Sequence, residues 1–310
     1  MPLSLSRRQM LSSAAAVSLV PAMARPARAD GHAAAAPAAR PRSFQVGEIT
    51  VTTLLDGSGP QSDPQNTFGM NVSAEEFEAA SEANFISADN FTGFIMPSLV
   101  EAGEDRILFD TGLGNGGVEA ALAERGLTPA DITHVALTHL HPDHIGGMVR
   151  DGAEVYSNAT YLVGQAEYDF WTGPGADNGL GQRIAAEVVP LAERMVFLDD
   201  GASPRSGITG MAAFGHTPGH MVFMIDSGGQ QMLLTADLAN HYVWSLAYPD
   251  WEVRWDANKE AAAASRRRIL GMLAADRVAM LGYHMPFPGV GFVETRDDGF
   301  RFIPATYQFG

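Results

Sequence analysis

Four side chains of metal-binding type fall within six positions, in the run His139-Leu140-His141-Pro142-Asp143-His144. A short apolar stretch at 135–138 leads into them, and Ile145-Gly146-Gly147 follows. A strand that runs into a sharp turn fans consecutive side chains around one point. The His141-Pro142 step also keeps a helix from passing through the middle of the group. Neutral imidazole and carboxylate are ligands for Zn2+ and related divalent ions. Four ligands this closely spaced are a poor fit to one tetrahedral ion, so the run points to two metals. A solvated polar loop is the bland alternative, but packing gives no reason to place three imidazoles and a carboxylate in one turn.

Three later stretches extend the set. Gly215-His216-Thr217-Pro218-Gly219-His220 lies between two strand-like runs, Thr235-Ala236-Asp237 ends a third, and Leu281-Gly282-Tyr283-His284 ends a fourth. Each puts a ligand-type side chain at a strand terminus, where a rigid scaffold presents function. The elements that must do the positioning are read from hydrophobic period and turn residues. Strands are expected at 48–55, 91–100, 106–109, 135–138, 208–214, 221–225, 231–234, 278–281, 292–295 and 300–303. Turns are expected at Asp56-Gly57, Ser227-Gly228-Gly229 and Asp297-Asp298-Gly299. Residues 58–72 read as a loop. Helices are expected at 73–83, with Ser73 and Glu76 spaced as a capping box, at 118–125, stopped by Gly126, and at 182–194 and 258–275. Thr128-Pro129-Ala130-Asp131 is a helix-start signal. Antiparallel-type strands with helices between them suggest α+β layers in one domain over 44–310.

Composition bounds what such a site can serve. The chain has 310 residues, 46% hydrophobic and 18% charged, the mix of a globular rather than a disordered protein. Net charge is −16, which argues against a nucleic-acid partner, because phosphate backbones need a basic surface. There is no cysteine, so disulfides, zinc ribbons, thiol nucleophiles and iron–sulfur clusters are all excluded. No apolar run of about 20 residues follows residue 30, so no internal membrane span is expected. The first 29 residues read as an address: Ser6-Arg7-Arg8-Gln9-Met10-Leu11, an apolar stretch to Met23, then Ala27-Arg28-Ala29 as a cleavage site. The arginine pair is similar to a bacterial twin-arginine export signal, which implies a periplasmic or secreted protein. Residues 30–43 read as a flexible Ala/Pro-rich lead-in, with His32 solvated.

The set His139, His141, Asp143, His144, His216, Asp237 and His284, with Asp110-Thr111-Gly112 after an early strand, resembles the metallo-β-lactamase fold superfamily of dinuclear hydrolases over essentially all of 44–310. Within it, THLHPDHIGG, the segment AEYDFW at 166–171, FGHTPGHMVFMIDSGGQ and FPGVGFVETRDDGFRFIPATY are similar to methyl parathion hydrolase and related secreted lactonases. The resemblance implies a four-layer αβ/βα fold. It implies that His139, His141 and His216 bind one metal, that Asp143, His144 and His284 bind a second, and that Asp237 bridges them. Asp110 is not a ligand in that family and supports the metal-binding loop through hydrogen bonds. His220 is read as structural or as a support behind the ligands, and His134 as an ordinary surface or core residue.

The implied cofactor is two divalent ions, Zn2+ first, with Mn2+, Co2+ or Fe2+ as alternatives. Two ions ~3.5–4 Å apart share a water, lower its pKa to near neutrality and give a bridging hydroxide as nucleophile. They also polarise the substrate carbonyl or phosphoryl oxygen. Asp143 would ligate and also steer the proton of the attacking water to the leaving group, with Asp237 as the other catalytic carboxylate. Trp171 matches an aromatic position of the leaving-group pocket in methyl parathion hydrolase-like enzymes, and a core tryptophan in a helix is the other reading. His241 either lines the cavity or is an ordinary buried histidine. Asn240 stands where acyl-homoserine lactonases often carry a tyrosine, and Tyr242 is a substitute two positions on. Phe68, Met70, Phe85, Trp244, Tyr248 and Trp251 are further candidates for an apolar pocket.

These features favour a lactonase or arylesterase-type hydrolase acting on a small apolar lactone or ester, acyl-homoserine lactones included. A phosphotriesterase acting on an apolar triester is the alternative. A glyoxalase II-like thioesterase would need a helical C-terminal domain, and only 26 residues follow His284. β-Lactamases lack the bridging aspartate, and some need a cysteine ligand. Nucleic-acid processors carry basic exosites, sulfur dioxygenase-like members use one iron, and an inactive member would not keep seven ligands. A homodimer is expected by analogy with secreted relatives.

Overall fold

The computed structural model describes residues 41–305. The expected signal segment 1–29, with His32 and most of the expected lead-in, lies outside the described residues. β1 (Arg42–Val46) and β2 (Ile49–Thr53) form a hairpin. β3 (Gly57–Ser62) pairs with β4 (Asn90–Ile95) across an excursion that holds α1 (Ala74–Ala83). The chain returns through β5 (Ser98–Ala102), β6 (Asp105–Phe109), α2 (Gly117–Glu124), β7 (His134–Leu137) and the single helical turn α3 (Pro142–Ile145). The short pair β8 (Val149–Arg150) and β9 (Ala153–Glu154) precedes β10 (Thr160–Gly164), α4 (Gln165–Thr172), α5 (Gly179–Glu187) and β11 (Met195–Leu198). The second half is β12 (Ile208–Ala212), β13 (Met221–Ser227), β14 (Gln230–Ala236), α6 (Lys259–Asp276), β15 (Ala279–Gly282), β16 (Val290–Arg296) and β17 (Gly299–Pro304). One sheet has the order β1-β2-β5-β6-β7-β10-β11 and the other β12-β13-β14-β15-β16-β17.

Side chains alternate between the two faces of a strand, and here both faces are apolar. Val100, Ile107, Phe109, Ala136 and Leu162 of the first sheet meet Phe223, Ile225, Met232, Leu234 and Leu281 of the second in one buried cluster. Phe109 and Phe223 pack edge to face at 5.0 Å across it. The intervening Leu108, Val135, Leu137 and Val163 turn outward onto Val118 and Leu122 of α2 and Ile184 of α5. On the far side Val222, Leu233 and Met280 pack against Ile269, Leu270 and Leu273 of α6. The result is helix, sheet, sheet, helix: the four-layer α+β arrangement expected. Residues 41–305 fall within one compact unit. No helix among the described residues is long and apolar enough to cross a membrane.

Some expectations differ from the fold. β6, β7, β10 and β11 run parallel, as do β14 and β15. These pairs are joined by crossovers and covered on both faces, which is where parallel strands occur. The strand expected at 91–100 is two, β4 and β5, because Pro97 has no N–H for a ladder. Residues 57–62, placed in the turn and loop, pair as β3 despite their Gly and Pro. The helix expected at 182–194 starts at Gly179 and stops at Glu187, and a 3-10 stretch containing Pro190 follows. Strand β1 begins at Arg42, inside the expected lead-in.

Helix α1 ends in a Schellman-type turn, in which Ile86 N donates to Ser81 O and Phe85 N to Glu82 O, both at 3.0 Å. The turn residue is Phe85, with φ +58° and 98% exposure. Left-handed backbone costs an L residue about 1–2 kcal/mol, and this ring recovers nothing by burial. Phe85→Gly is therefore expected to raise stability by about 0.5–1 kcal/mol. The change reads out as a higher urea midpoint at unchanged slope. A lower midpoint would mean that the ring makes a stabilising contact in solution.

Candidate active site

Strand β7 ends one residue before Thr138, whose N and Oγ1 both donate to Asp110, at 2.9 Å each. That pair fixes the direction in which the chain leaves the sheet. Pro142 then starts the single turn α3. Behind it, Thr111 N and Oγ1 donate to His144 O at 2.7 and 2.9 Å. This contact requires Gly147, since a Cβ there would lie 2.3 Å from Thr111 O. The turn is thus clamped from Asp110-Thr111 before any ligand is considered.

The seven ligand-type residues converge where the two sheets open. His139, His141 and His216 form one group with ligand atoms within 4.8 Å of one another, and Asp143, His144 and His284 form another. Asp237 groups with His139 and His144. Its Oδ1 lies 3.2 Å from His144 Nε2, and its Oδ2 lies 3.2 Å from Nε2 of both His216 and His284. Asp143 Oδ2 is 3.6 Å from Nε2 of His144 and of His284. His216 Nε2 and His141 Nδ1 are 3.0 Å apart. His139 Nε2, His144 Nε2 and Asp237 Oδ1 are buried without a hydrogen-bond partner. Buried polar atoms are normally satisfied. Orphaned imidazole nitrogens and a carboxylate oxygen facing one another are the donor set of a divalent metal, so the residues present fit one.

The far nitrogen of three of the five rings is also held by a carboxylate or carbonyl. His144 Nδ1 lies 2.9 Å from Asp110 Oδ2, His216 Nδ1 lies 3.0 Å from Asp256 Oδ1, and His284 Nδ1 lies 2.7 Å from the Phe94 carbonyl. Each acceptor draws the proton to Nδ1 and turns the Nε2 lone pair inward. Asp256 is anchored in turn by the buried Arg266, at 2.8 Å. His220 lies outside the ligand groups. Its Nδ1 faces Ala213 O and its Nε2 accepts from Asp237 N at 3.1 Å, so it holds the backbone of Asp237. Tyr283 donates to Asp143 O at 2.6 Å and stacks on His144 at 4.1 Å. Asp256, Tyr283 and the buried Glu167 were given no role from sequence, although Tyr283 precedes His284 and Glu167 lies in the AEYDFW stretch, because each acts through contacts distant in the chain.

The electrostatics follow from this crowding. Burial pushes His216 down, but Asp237 and Asp256 outweigh it and raise the ring to about 9. Burial and then the neighbouring His216 hold His141 near 3. Burial favours a neutral Asp237, but His284, His144 and His216 overcome it and hold the carboxyl well below its usual range.

The expected pocket residues separate. Trp171 is buried in the core under the first sheet, with its ring 6.4 Å from His141. Asn240 donates to Asp237 Oδ2 at 2.9 Å, which commits its amide to the central carboxylate. Tyr242 is half-buried beside His241, at 4.6 Å. Phe68, Trp244 and Trp251 are buried in a satellite cluster with Phe77 of α1. Tyr248 stacks on Trp251, and Met70 and Phe85 are exposed. Trp255, not singled out from sequence, is 44% exposed, with its ring 6.5 Å from His284 and edge-on to Phe68. A cavity of about 310 Å³ lined by Tyr248, Trp251, Arg267 and Arg296 touches none of the seven ligand-type residues. His134 sits at the other end of β7, beside Thr133 and Arg205.

His241 is buried, stacked on Trp244 at 4.1 Å, and its Nδ1 accepts from Val243 N and Trp244 N. Burial lowers it to about 3. The folded state therefore keeps it neutral while the unfolded chain takes up a proton below about pH 6.5. Stability present at pH 7 is lost as pH falls from 6.5 towards 3, by up to ~1.4 kcal/mol per pH unit for this group. Asn at this position offers Oδ1 where Nδ1 stands and does not titrate. Urea midpoints at pH 7, 6, 5 and 4 are expected to fall less steeply in His241→Asn than in the parent, and equal slopes would refute the assignment.

Comparison with known proteins agrees with this geometry. The model of the metallo-beta-lactamase superfamily matches residues 92–280. The chain is 32% identical over 132 residues to the N-acyl homoserine lactonase AttM of Azorhizobium caulinodans, 40% of this chain and 47% of that one. It thus spans about half the length of that curated relative. Among solved structures it is similar to AidC, a dizinc quorum-quenching lactonase in complex with a product. The TM-score is 0.77 at 29% identity, covering 86% of this chain and 97% of that one. It is also similar to the hydrolase AbOPH of the beta lactamase superfamily, with TM-score 0.78 at 25% identity, covering 86% and 97%. With a family match over most of the chain, the same layers and the ligand groups at the strand ends, this chain belongs to the metallo-β-lactamase superfamily.

Proposed function

We propose that the protein is a dinuclear metal-dependent hydrolase that opens a lactone or cleaves an uncharged apolar ester, with acyl-homoserine lactones the first class to test. The observation that carries this reading is Asp237, one carboxylate within 3.2 Å of nitrogens from both histidine-bearing groups. His139, His141 and His216 would hold one ion and Asp143, His144 and His284 the other, with Asp237 shared. Zn2+ is the first candidate, and Mn2+, Co2+ or Fe2+ suit the same donors. Ions held there supply an acidified water at neutral pH and polarise the acyl carbonyl. Asp143 is the more accessible of the two carboxylates, with its side chain 25% exposed against 4% for Asp237. It accepts the proton of the attacking water and returns it to the leaving oxygen as the acyl C–O bond breaks, so water divides between acid and alcohol. The ring of Trp255, exposed and 6.5 Å from His284, offers an apolar flank to an acyl chain. The lactonases AttM and AidC support this substrate class. The Arg7-Arg8 pair supports export to the periplasm or beyond by a twin-arginine route.

The chain from Asp30, loaded with Zn2+, is expected to bind about two ions and to hydrolyse a long-chain acyl-homoserine lactone and dihydrocoumarin, with chelator abolishing both activities. Methyl parathion turned over faster than either lactone would move the assignment to a phosphotriesterase. Asp237→Ala or His141→Ala should stay soluble, lose at least one ion per chain and lose more than ~100-fold in turnover. Full turnover in either variant would sink the mechanism. Replacing Arg7 and Arg8 with lysine should strand the full chain in the cytoplasm, as read by cell fractionation, and unchanged export would refute the route.

A further inference from the structure

We propose that Glu167 is a positioning residue that gathers the His139/His141/His216 half of the site onto one buried carboxylate and fixes Trp171 beside it. The proposal rests on the reading that those three histidines hold a metal. Glu167 lies in the first turn of α4 and is fully buried. Its Oε1 accepts from Leu140 N at 3.0 Å and from Trp171 Nε1 at 2.8 Å. Its Oε2 accepts from Thr217 Oγ1 at 2.6 Å and from Gly219 N at 2.9 Å. Leu140 stands between His139 and His141, and Thr217 follows His216. One carboxylate therefore joins two loops some 75 residues apart in sequence that carry all three histidines of this group. The contact is as close as backbone permits, since a Cβ on Gly219 would lie 2.0 Å from Glu167 N.

Four donors converge on one carboxylate, so the loop separation is set by α4 rather than by the histidines themselves. The other group is held elsewhere, by Asp110 behind His144 and by Tyr283 on Asp143 O. Loss of Glu167 should accordingly weaken one metal position and spare the other. The chemistry of the four donors refines this. Leu140 N, Trp171 Nε1 and Gly219 N can only donate, whereas the Thr217 hydroxyl can turn and accept. In Glu167→Gln the amide NH2 therefore settles against Thr217 and opposes Gly219 N–H. The 216–219 side is released while the Leu140 and Trp171 bonds survive.

The test strips the chain from Asp30 with chelator and refills it with Zn2+ against a competing chromophoric chelator. Co2+ is used in parallel for its ligand-field spectrum, with circular dichroism and thermal midpoint recorded for each variant. Glu167→Gln is expected to lower the affinity of one of the two ions by roughly 10–100-fold. The other should stay within about twofold, with the Co2+ spectrum altered. Thr217→Val, which removes one donor, should show a smaller loss at the same position, and Thr217→Ser should restore parent affinity. Folded variants that bind both ions as the parent does would overturn the proposal. So would an equal loss at both positions that tracks the thermal midpoint. If Glu167→Gln does not fold, the Thr217 pair decides by the same criteria. A parent chain that binds no metal would instead refute the metal reading.

Discussion

Asp237 stands where three imidazole nitrogens come within 3.2 Å of one carboxylate, at a seam between two sheets from which water is largely excluded. A buried carboxylate is costly without compensating charge or donors. Here the surrounding histidines hold it ionised, while burial and mutual repulsion keep His139 and His141 neutral. That balance is demanding in geometry, because a ring rotated away leaves an orphaned buried atom rather than a weaker contact. Much of the surrounding structure meets this constraint. Asp110, Asp256 and the Phe94 carbonyl fix ring orientation from behind, and His220 and Asn240 fix Asp237 itself.

The layers explain why such precision is attainable. The ligand-type residues hang from the ends of β7, β14 and β15 and from the loop before β13, elements whose alternate side chains interlock in the central cluster. Phe109 against Phe223 and the outward rows under α2 and α6 leave the sheets no freedom to slide. A shift of one residue would turn every inward side chain outward, so the register of the core also fixes the site. The candidate site is thus left to short loops with rigid roots. That is where function tolerates buried polar groups which the core does not.

Buried carboxylates recur as the means of organisation. Asp110 takes its donors from Thr138 and His144 after β7, Glu167 joins the loops at Leu140 and at Thr217-Gly219, and Asp256 joins His216 to Arg266 of α6. Each is buried, and each is compensated by neutral donors, by histidine or by Arg266 rather than by solvent. Their cost is offset only when all partners are in place, which makes the site cooperative with the fold instead of an addition to it. The net charge of −16 belongs to the chain as a whole and suits a neutral substrate.

The residues able to bind metal were legible in the sequence, because imidazoles and carboxylates at strand ends have no packing reason to cluster. The layers were legible too, from alternation in the strands and from helix caps such as Ser73, which accepts from Glu76 N at 3.2 Å. What the sequence hid were contacts between distant segments. It did not show that β6, β7, β10 and β11 run parallel, since short apolar runs carry no direction. Nor did it show that Trp255 stands by His284, which depends on how a long loop returns over the site, or that Asn240, three residues from Asp237, turns its amide onto that carboxylate. Glu167, in the first turn of α4, finds Trp171 within its own helix but meets Leu140, Thr217 and Gly219 only when α4 is laid between two loops. Residue type and local period fix which groups exist and on which face of an element they lie. Which groups meet is decided by the packing of whole layers, which no local window of sequence contains.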